Sequence, residues 1–553
     1  MKKMQHKRVE NEKYSNEQDQ HAKKLPLVMV ENFSFAYESL DEPILRGLDV
    51  ILHENEVTLL MGPSGSGKST LSLCLNGLYP EAVEGETAGT ILFRESHLQD
   101  AQAGTWSKHI GVVFQDPEAQ FCMIHVADEL AFTLENMAIR EHEMDEKIDE
   151  ILLLVGMEKF KYRKLHELSG GEKQKIALAA VLLLEPTLLI LDEATVNLDP
   201  HATESFIKLI QQIQEERQMS VFIIDHQADA WLDMTDRVLL LGKNGRLLQD
   251  ASPEEMFTTY KAQVEEAGIF IPKKFSRQSF GIDLHARKLP TAQKQEHPKD
   301  NETVMRLEDI TYKRKARTIL QQIYMAIPKG AFISILGKNG AGKSTLLELM
   351  AGIMTPTKGE VYFQHRPLQK WKETKLRHKL GFVFQNPEHQ FITDTVYDEL
   401  VFSMRLNDEQ LEKMEATATY LLEHFQLEEK KHRNPFSLSG GQKRRLSVAT
   451  VLDDTPDILL FDEPTFGQDA ETTARLIHTM FELREKGITI VIVTHDMDLA
   501  AMSDTVYVLH EGEIAFHGTP DTLWEEEELL HAAHLRRPFE VEKAQCKRIG
   551  EIG

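Results

Sequence analysis

Cysteine is nearly missing from this chain of 553 residues, which has only Cys74, Cys122 and Cys546. The three form neither a pair nor a metal-ligand spacing, which excludes a disulfide framework and a cysteine zinc site and points to a reducing compartment. Positive charge is in deficit. With 63 Lys and Arg against 88 Asp and Glu, the formal net charge is −25, which argues against general affinity for nucleic acid or anionic lipid. Long hydrophobic runs are missing too. The greasiest stretches, "IALAAVLLLEPTLLILDE" and "ITIVIVTHD", are broken by charge or proline before the roughly 20 residues that a membrane span needs. The N-terminal "MKKMQHKRVENEKYSNEQDQHAKK" starts basic but lacks an apolar region, so a disordered tail is expected there rather than a signal peptide or anchor. Any membrane role has to come through a partner.

What is present is written twice. "GPSGSGKST" around Lys68 recurs as "GKNGAGKST" around Lys343, 275 positions later. "FQDPEAQF…DELAF" from Phe114 and "FQNPEHQF…DELVF" from Phe384 are 270 apart, as are "LSGGEKQK" and "LSGGQKRR", and Asp192 and Asp462; His226 and His495 are 269 apart. A period this long is a whole domain. The expected organisation is a tail at 1–26, a first unit at 27–265, a linker at 266–302, a second unit at 303–540 and a C-terminal tail at 541–553. The segment "FSRQSFGIDLHARKLPTAQKQEHPKDNE" is polar and aperiodic, as a linker should be.

Within each unit "VTLLMG" or "FISILG" reads as a strand ending in a glycine-rich loop, followed by helical spacing in "KSTLSLCLNGL" or "KSTLLELMAGI". "LLILD" and "ILLFD", then "SVFIID" and "ITIVIVT", are continuous apolar runs of the kind buried on both faces of a parallel sheet. The fold class is therefore α/β. Gln115 and Ser169 are 54 positions apart, as are Gln385 and Ser439, and both intervals are rich in Leu, Glu and Lys. A helical insertion of equal size is expected in both units.

Two G-x-x-x-x-G-K-[ST] loops set between strand and helix present backbone N–H groups and a helix N-terminus to phosphate. The binding residues are Gly62, Pro63, Ser64, Gly65, Ser66, Gly67, Lys68, Ser69 and Thr70 in the first loop, and Gly337, Lys338, Asn339, Gly340, Ala341, Gly342, Lys343, Ser344 and Thr345 in the second. Lys68 and Lys343 would reach the β- and γ-phosphates, and Ser69 and Ser344 would offer hydroxyls to Mg²⁺. Asp192-Glu193 and Asp462-Glu463 end buried strands, where an α/β sheet binds its ligand. The aspartates would hold the metal and the glutamates would polarise water. His226 and His495 end the next strand and would orient that water or touch the γ-phosphate.

With "LSGGEKQK" and "LSGGQKRR" added, the ordered set in each half resembles the ATP-binding cassette family. The resemblance covers about 480 residues and implies two P-loop cassettes, each a parallel-sheet core with a helical subdomain, that hydrolyse ATP with Mg²⁺. It implies that Ser169, Gly170 and Gly171 complete the opposite cassette's site, as do Ser439, Gly440 and Gly441, so that the pair works intramolecularly. It adds Gln115 and Gln385 to the metal ligands and Tyr37 as the adenine-stacking aromatic. The second copy departs there, with Arg314 in the aligned place and Tyr312 two positions earlier. It also reads "FGQD" for "VNLD" and "VTHD" for "IDHQ". No catalytic carboxylate or histidine is lost, so both composite sites are expected to be competent.

The repeated "FQ[DN]PExQF…DEL[AV]F" resembles the ATPases of energy-coupling factor transporters, and "DEPTFGQD" is similar to the fused hydroxymethylpyrimidine (HMP)/thiamine import subgroup. That likeness implies import of a vitamin, a vitamin precursor or a transition-metal ion. The implied partners are a membrane-embedded coupling subunit and a small substrate-binding membrane subunit, with the chain peripheral on the cytoplasmic face of the cell membrane and no nucleic acid. Gln115–Phe132 and Gln385–Phe402 would then be docking grooves, with Asp128-Glu129 and Asp398-Glu399 receiving basic residues. A tandem sugar-import ATPase is the alternative within importers. A tandem-cassette translation factor would need a long basic linker, and a DNA-repair ATPase zinc cysteines or long heptads.

Overall fold

The computed structural model describes residues 25–38, 42–80, 85–98, 104–196, 198–226, 228–276, 303–315, 317–406, 409–452, 456–465, 467–538 and 541. Nearly all of both expected tails, and the linker from 277 to 302, lie outside the described residues.

Each unit is built on a six-stranded sheet. In the first, the order is Leu247–Ala251, Arg237–Leu241, Val57–Met61, Ser220–Ile224, Leu188–Asp192, Ile110–Val113, and only the Leu247–Ala251 edge strand is antiparallel. The second repeats it with Glu513–Gly518, Thr505–His510, Phe332–Leu336, Thr489–Val493, Ile458–Asp462 and Leu380–Val383. The central strands are buried along their whole length. Alternation divides their side chains between two cores. Leu59, Leu191 and Ile223 face a layer that includes the helices, while Leu60, Ile190 and Phe222 pack with Phe33, Phe35 and Leu48.

Those phenylalanines belong to a second sheet that the apolar runs did not announce. Leu45–His53, Pro26–Tyr37, Gly85–Phe93 and Ser96–His97 form an antiparallel layer, and the second unit repeats it with Arg317–Pro328, Thr303–Arg314, Lys358–Phe363 and Arg366–Pro367. The insertion is helical in both units. It holds Val126–Asn136 and Glu141–Leu154 in the first, and Val396–Leu406 and Leu411–Phe425 in the second. Residues 266–276, expected as the start of the linker, instead continue the first unit. Ile269 is buried in its core, Phe275 stacks on Phe257 with centroids 5.5 Å apart, and Lys273 N–H donates to Asp229 Oδ1 at 2.6 Å.

Candidate active site

Glycines shape the loop after the central strand. Gly65 and Gly67 have φ of 78° and 98°, and Gly340 and Gly342 of 77° and 103°, a left-handed backbone that glycine enters at no steric cost. The chain then turns into helices Lys68–Leu75 and Lys343–Met350, whose N-caps Gly67 and Gly342 carry no capping side chain. Their first N–H groups are left for an anion. Lys68 Nζ donates to the carbonyls of Gly62 and Pro63 at 2.9 and 3.1 Å, and Lys343 Nζ to those of Gly337 and Lys338 at 2.8 and 3.1 Å. Burial lowers the pKa of both lysines, against the opposing pull of Glu193 and Asp192 on one and Glu463 and Asp462 on the other. Tyr37 sits beside the first loop, its hydroxyl 2.9 Å from Thr70 Oγ1 and its ring edge-on to Phe35 and Tyr79. Arg314 ends its strand exposed; burial raises the pKa of the Glu348 carboxyl, and the charge of Arg314 opposes that rise.

The two carboxylates at each strand end have different surroundings. Ser69 Oγ donates to Asp192 Oδ1 at 3.1 Å. Burial pushes Asp192 up to about 6, helped by Glu193; Asp462 is likewise raised to about 6, with Ser344 as a hydrogen-bond partner. Asp462 Oδ1 is buried with no hydrogen-bond partner of its own. Hydroxyl and carboxylate oxygens are the donors a hard cation takes, so this pair fits Mg²⁺. Glu193 and Glu463 follow with φ of 51° and 48°, strained for a side-chain-bearing residue, and their N–H groups donate to Ile224 and Val493 carbonyls at 2.9 Å. The next strand delivers the histidines. His226 Nε2 lies 2.7 Å from Glu193 Oε1, and His495 Nε2 lies 2.9 Å from Glu463 Oε1. Burial raises the pKa of Glu193, but His226 outweighs it and leaves the carboxyl below its usual value.

The signature phrase is a capping box. Ser169 Oγ accepts from Glu172 N–H while Glu172 Oε2 accepts from Ser169 N–H, and Ser439 and Gln442 repeat the exchange. Gly441 packs closely: a Cβ there would stand 2.9 Å from Thr472 Oγ1, so a larger residue would force that threonine to shift.

The two units then meet head to tail. A Cβ on Gly65 would lie 3.3 Å from Ser439 Cβ, so the second signature faces the first phosphate loop. Ser64 N–H donates to Asp469 Oδ2 at 3.1 Å, while Asp469 Oδ1 caps helix Ala470–Glu485. A Cβ on Gly467 would lie 3.8 Å from Gln115 Nε2. The reciprocal contact is looser. The Cβ position of Gly340 meets none of the described residues within 4 Å, so Ser169 is not brought against it, although the charge of Asp199 acts on Lys343. The end of each unit clasps the other: Ala470 N–H donates to Gly268 O at 3.1 Å, Arg536 pairs with Glu204 at 2.7 Å, and His534 stacks on His201 with centroids 4.9 Å apart.

Two expectations about the docking segments are corrected. Glu129 and Glu399 are only 4% and 6% exposed, and no partner can reach them as acids. Each carboxylate accepts two backbone N–H groups of its own loop, Cys122 and Met123 or Ile392 and Thr393, within 2.8–3.0 Å. They hold a loop whose apolar tip faces out, with Ile124 63% and Ile392 69% exposed. Sequence reasoning also missed Gln174 and Arg444, five residues past each signature serine. Gln174 Nε2 donates to the carbonyls of Phe114 and Ala194 at 2.9 and 2.8 Å. The Arg444 guanidinium donates to those of Phe384, Gln385 and Glu463 at 2.6, 2.5 and 3.4 Å. The repeat places them at one position, but only contacts show that they join the glutamine loop to the catalytic loop.

A family model described as ABC transporter matches residues 45–196 and 320–466. The chain belongs to the ABC transporter family. It is an ATPase with two cassettes in tandem. This ABC ATPase is 41% identical over 525 residues to a protein of Bacillus subtilis (strain 168) provisionally named HMP/thiamine import ATP-binding protein YkoD, covering 93% of this chain and 95% of that one. It is 33% identical over 537 residues to a provisionally named ABC transporter ATP-binding protein of Enterococcus faecalis (strain ATCC 700802 / V583), covering 93% and 94%. A solved structure of cbiO1 from Clostridium perfringens, titled as part of the ABC transporter complex cbiONQ, is 31% identical with a TM-score of 0.38, covering 44% of this chain and 99% of its own. Among the described residues no helix is long and apolar enough to cross a membrane.

Proposed function

We propose that this chain is the energising subunit of an energy-coupling factor importer, carrying a vitamin or vitamin precursor of the HMP/thiamine kind, and that both composite sites turn over. The single observation behind the importer reading is the pair of apolar tips. Ile124 and Ile392 are exposed on the corresponding loop of each unit, two positions apart in the repeat, and each loop is pinned by a buried glutamate downstream of Gln115 or Gln385. An exposed apolar side chain on the corresponding loop of each unit suits a membrane-embedded coupling subunit on the cytoplasmic face, which in turn carries a small substrate-binding subunit. The name borne by the Bacillus subtilis relative supports the class of cargo.

In this reading Ser69, Asp192 and Gln115 hold one Mg²⁺, and Ser344, Asp462 and Gln385 the other. Bound Mg²⁺ neutralises charge on the β- and γ-phosphates. Glu193 and Glu463 take the proton of the attacking water, His226 and His495 fix the carboxylates that do so, and Ser439 and Ser169 close on the γ-phosphate from the opposite cassette.

The test is co-purification with the membrane subunits, using Ile124→Asp and Ile392→Asp together and ATP binding by the isolated chain as the folding control. Assembly and substrate uptake should both be lost. Unchanged assembly with a folded double variant rejects the docking surface and the importer reading that rests on it.

A further inference from the structure

Asp225 is 4% exposed, set between the end of strand Ser220–Ile224 and His226. Its Oδ2 accepts two hydrogen bonds, from Thr195 Oγ1 at 3.0 Å and from Trp231 Nε1 at 2.8 Å. Thr195 lies two residues beyond Glu193, and Trp231 five residues beyond His226. One carboxylate oxygen therefore links the loop that carries the glutamate to the loop that carries the histidine.

A buried carboxylate is costly unless hydrogen bonds compensate it, and this one adds negative charge near a site that must accept phosphates. The fold does not require it. The second unit has Thr494 in place of Asp225, Thr465 in place of Thr195 and Ala500 in place of Trp231, yet its Glu463–His495 contact is 2.9 Å. There Thr494 Oγ1 accepts Asp496 N–H at 3.0 Å, and Glu463 Oε2 accepts His495 N–H at 3.2 Å. The two copies thus reach one catalytic geometry by different tethers.

We propose that Asp225 is a positioning residue for ATP hydrolysis in the first cassette, holding Glu193 and His226 in register through Thr195 and Trp231. The inference rests on Glu193 and His226 being the hydrolytic pair. Displacing a reacting group by about 1 Å can cost up to a hundredfold in rate, so loss of this link falls on the chemical step more than on binding.

The experiment measures kcat and KM for ATP in the full chain carrying Asp225→Ala, Asp225→Asn, Thr195→Ser or, as reference, Glu193→Gln. Asp225→Ala should lower kcat about tenfold with KM within about twofold. Asp225→Asn, whose amide oxygen can accept both bonds, and Thr195→Ser, which keeps the hydroxyl, should retain at least about half of the turnover. Three results overturn the proposal: kcat of Asp225→Ala within about twofold of the parent, a loss in Asp225→Asn as large as in Asp225→Ala, or a loss that disappears when rates are expressed per folded molecule from the thermal melt. If Glu193→Gln itself leaves turnover intact, the reading of the hydrolytic pair has failed instead.

Discussion

Glu193 Oε1 and His226 Nε2 stand 2.7 Å apart in the first cassette, and Glu463 and His495 reproduce the contact at 2.9 Å. Both glutamates hold it from a left-handed backbone. Strain repeated in two copies at the same position is what the proposed catalytic role of these glutamates calls for.

Glu193→Gln and Glu463→Gln should each depress steady-state ATP turnover by at least about tenfold, the usual scale for a general base or water-positioning group. The open approach to Gly340 makes the comparison informative. If one of the two variants turns over at the parental rate, the sites are not equivalent.

Tyr37 is tied to Thr70 and braced by Phe35 and Tyr79, whereas Arg314 ends its strand exposed. Tyr37→Ala should weaken ATP binding by about 1 kcal/mol, roughly fivefold in Kd, and Arg314→Ala by less. Equilibrium titration with ATP decides between them. An effect confined to Arg314 rejects the stacking role of Tyr37.

Asp496 caps the short helix Met497–Ala500, accepting from Asp498 and Leu499 N–H at 3.0 and 3.1 Å. The residue keeps a partly exposed edge, but its carboxyl is desolvated, and burial together with Asp498 pushes its pKa up to about 7, against an opposing pull from Lys273. Between 3.8 and about 7 the folded chain therefore holds a proton that the unfolded chain releases, so stability falls as pH rises through this window. Asparagine caps equally well and does not titrate. Asp496→Asn should melt above the parent by clearly more near pH 8 than near pH 5, by roughly 2–4 °C per kcal/mol recovered. Parallel melting curves at both pH values would show that the carboxyl is not desolvated.

The cassettes pair within one chain, with Ser64 bonded to Asp469 and Arg536 to Glu204. Cutting between 277 and 302 and mixing the halves removes an effective concentration on the order of millimolar. ATP turnover per mole of the mixed halves should fall over about a hundredfold dilution, while that of the intact chain stays constant. Dilution-independent activity in the halves would mean that the docked faces do not need the linker.

The phosphate loops, the Asp-Glu pairs and the switch histidines were legible in the sequence because their geometry is local. A glycine run between strand and helix aims its own N–H groups, a parallel strand delivers whatever residue ends it, and "LSGG" followed by Glu or Gln spells a capping box. The doubling of each motif told the same story at the scale of the chain.

What the sequence left open depends on residues far apart along it. "DEL" reads as exposed acid until the fold buries Glu129 and Glu399 under their own loops. The antiparallel layer escaped because its strands bury one face only and alternate, unlike the continuous runs of the central sheet. Gln174, Arg444 and Asp225 are ordinary letters in helices and strand ends; what each bridges is set by loops that tertiary packing brings within hydrogen-bond reach. The sequence alone determined that there are two glycine-rich loops, two strand-end Asp-Glu pairs and two histidines, and their order along the chain. Tertiary structure alone decided that Ser439 reaches Gly65 while Ser169 stays clear of Gly340, since that contact depends on how two complete domains dock, and no local propensity encodes docking.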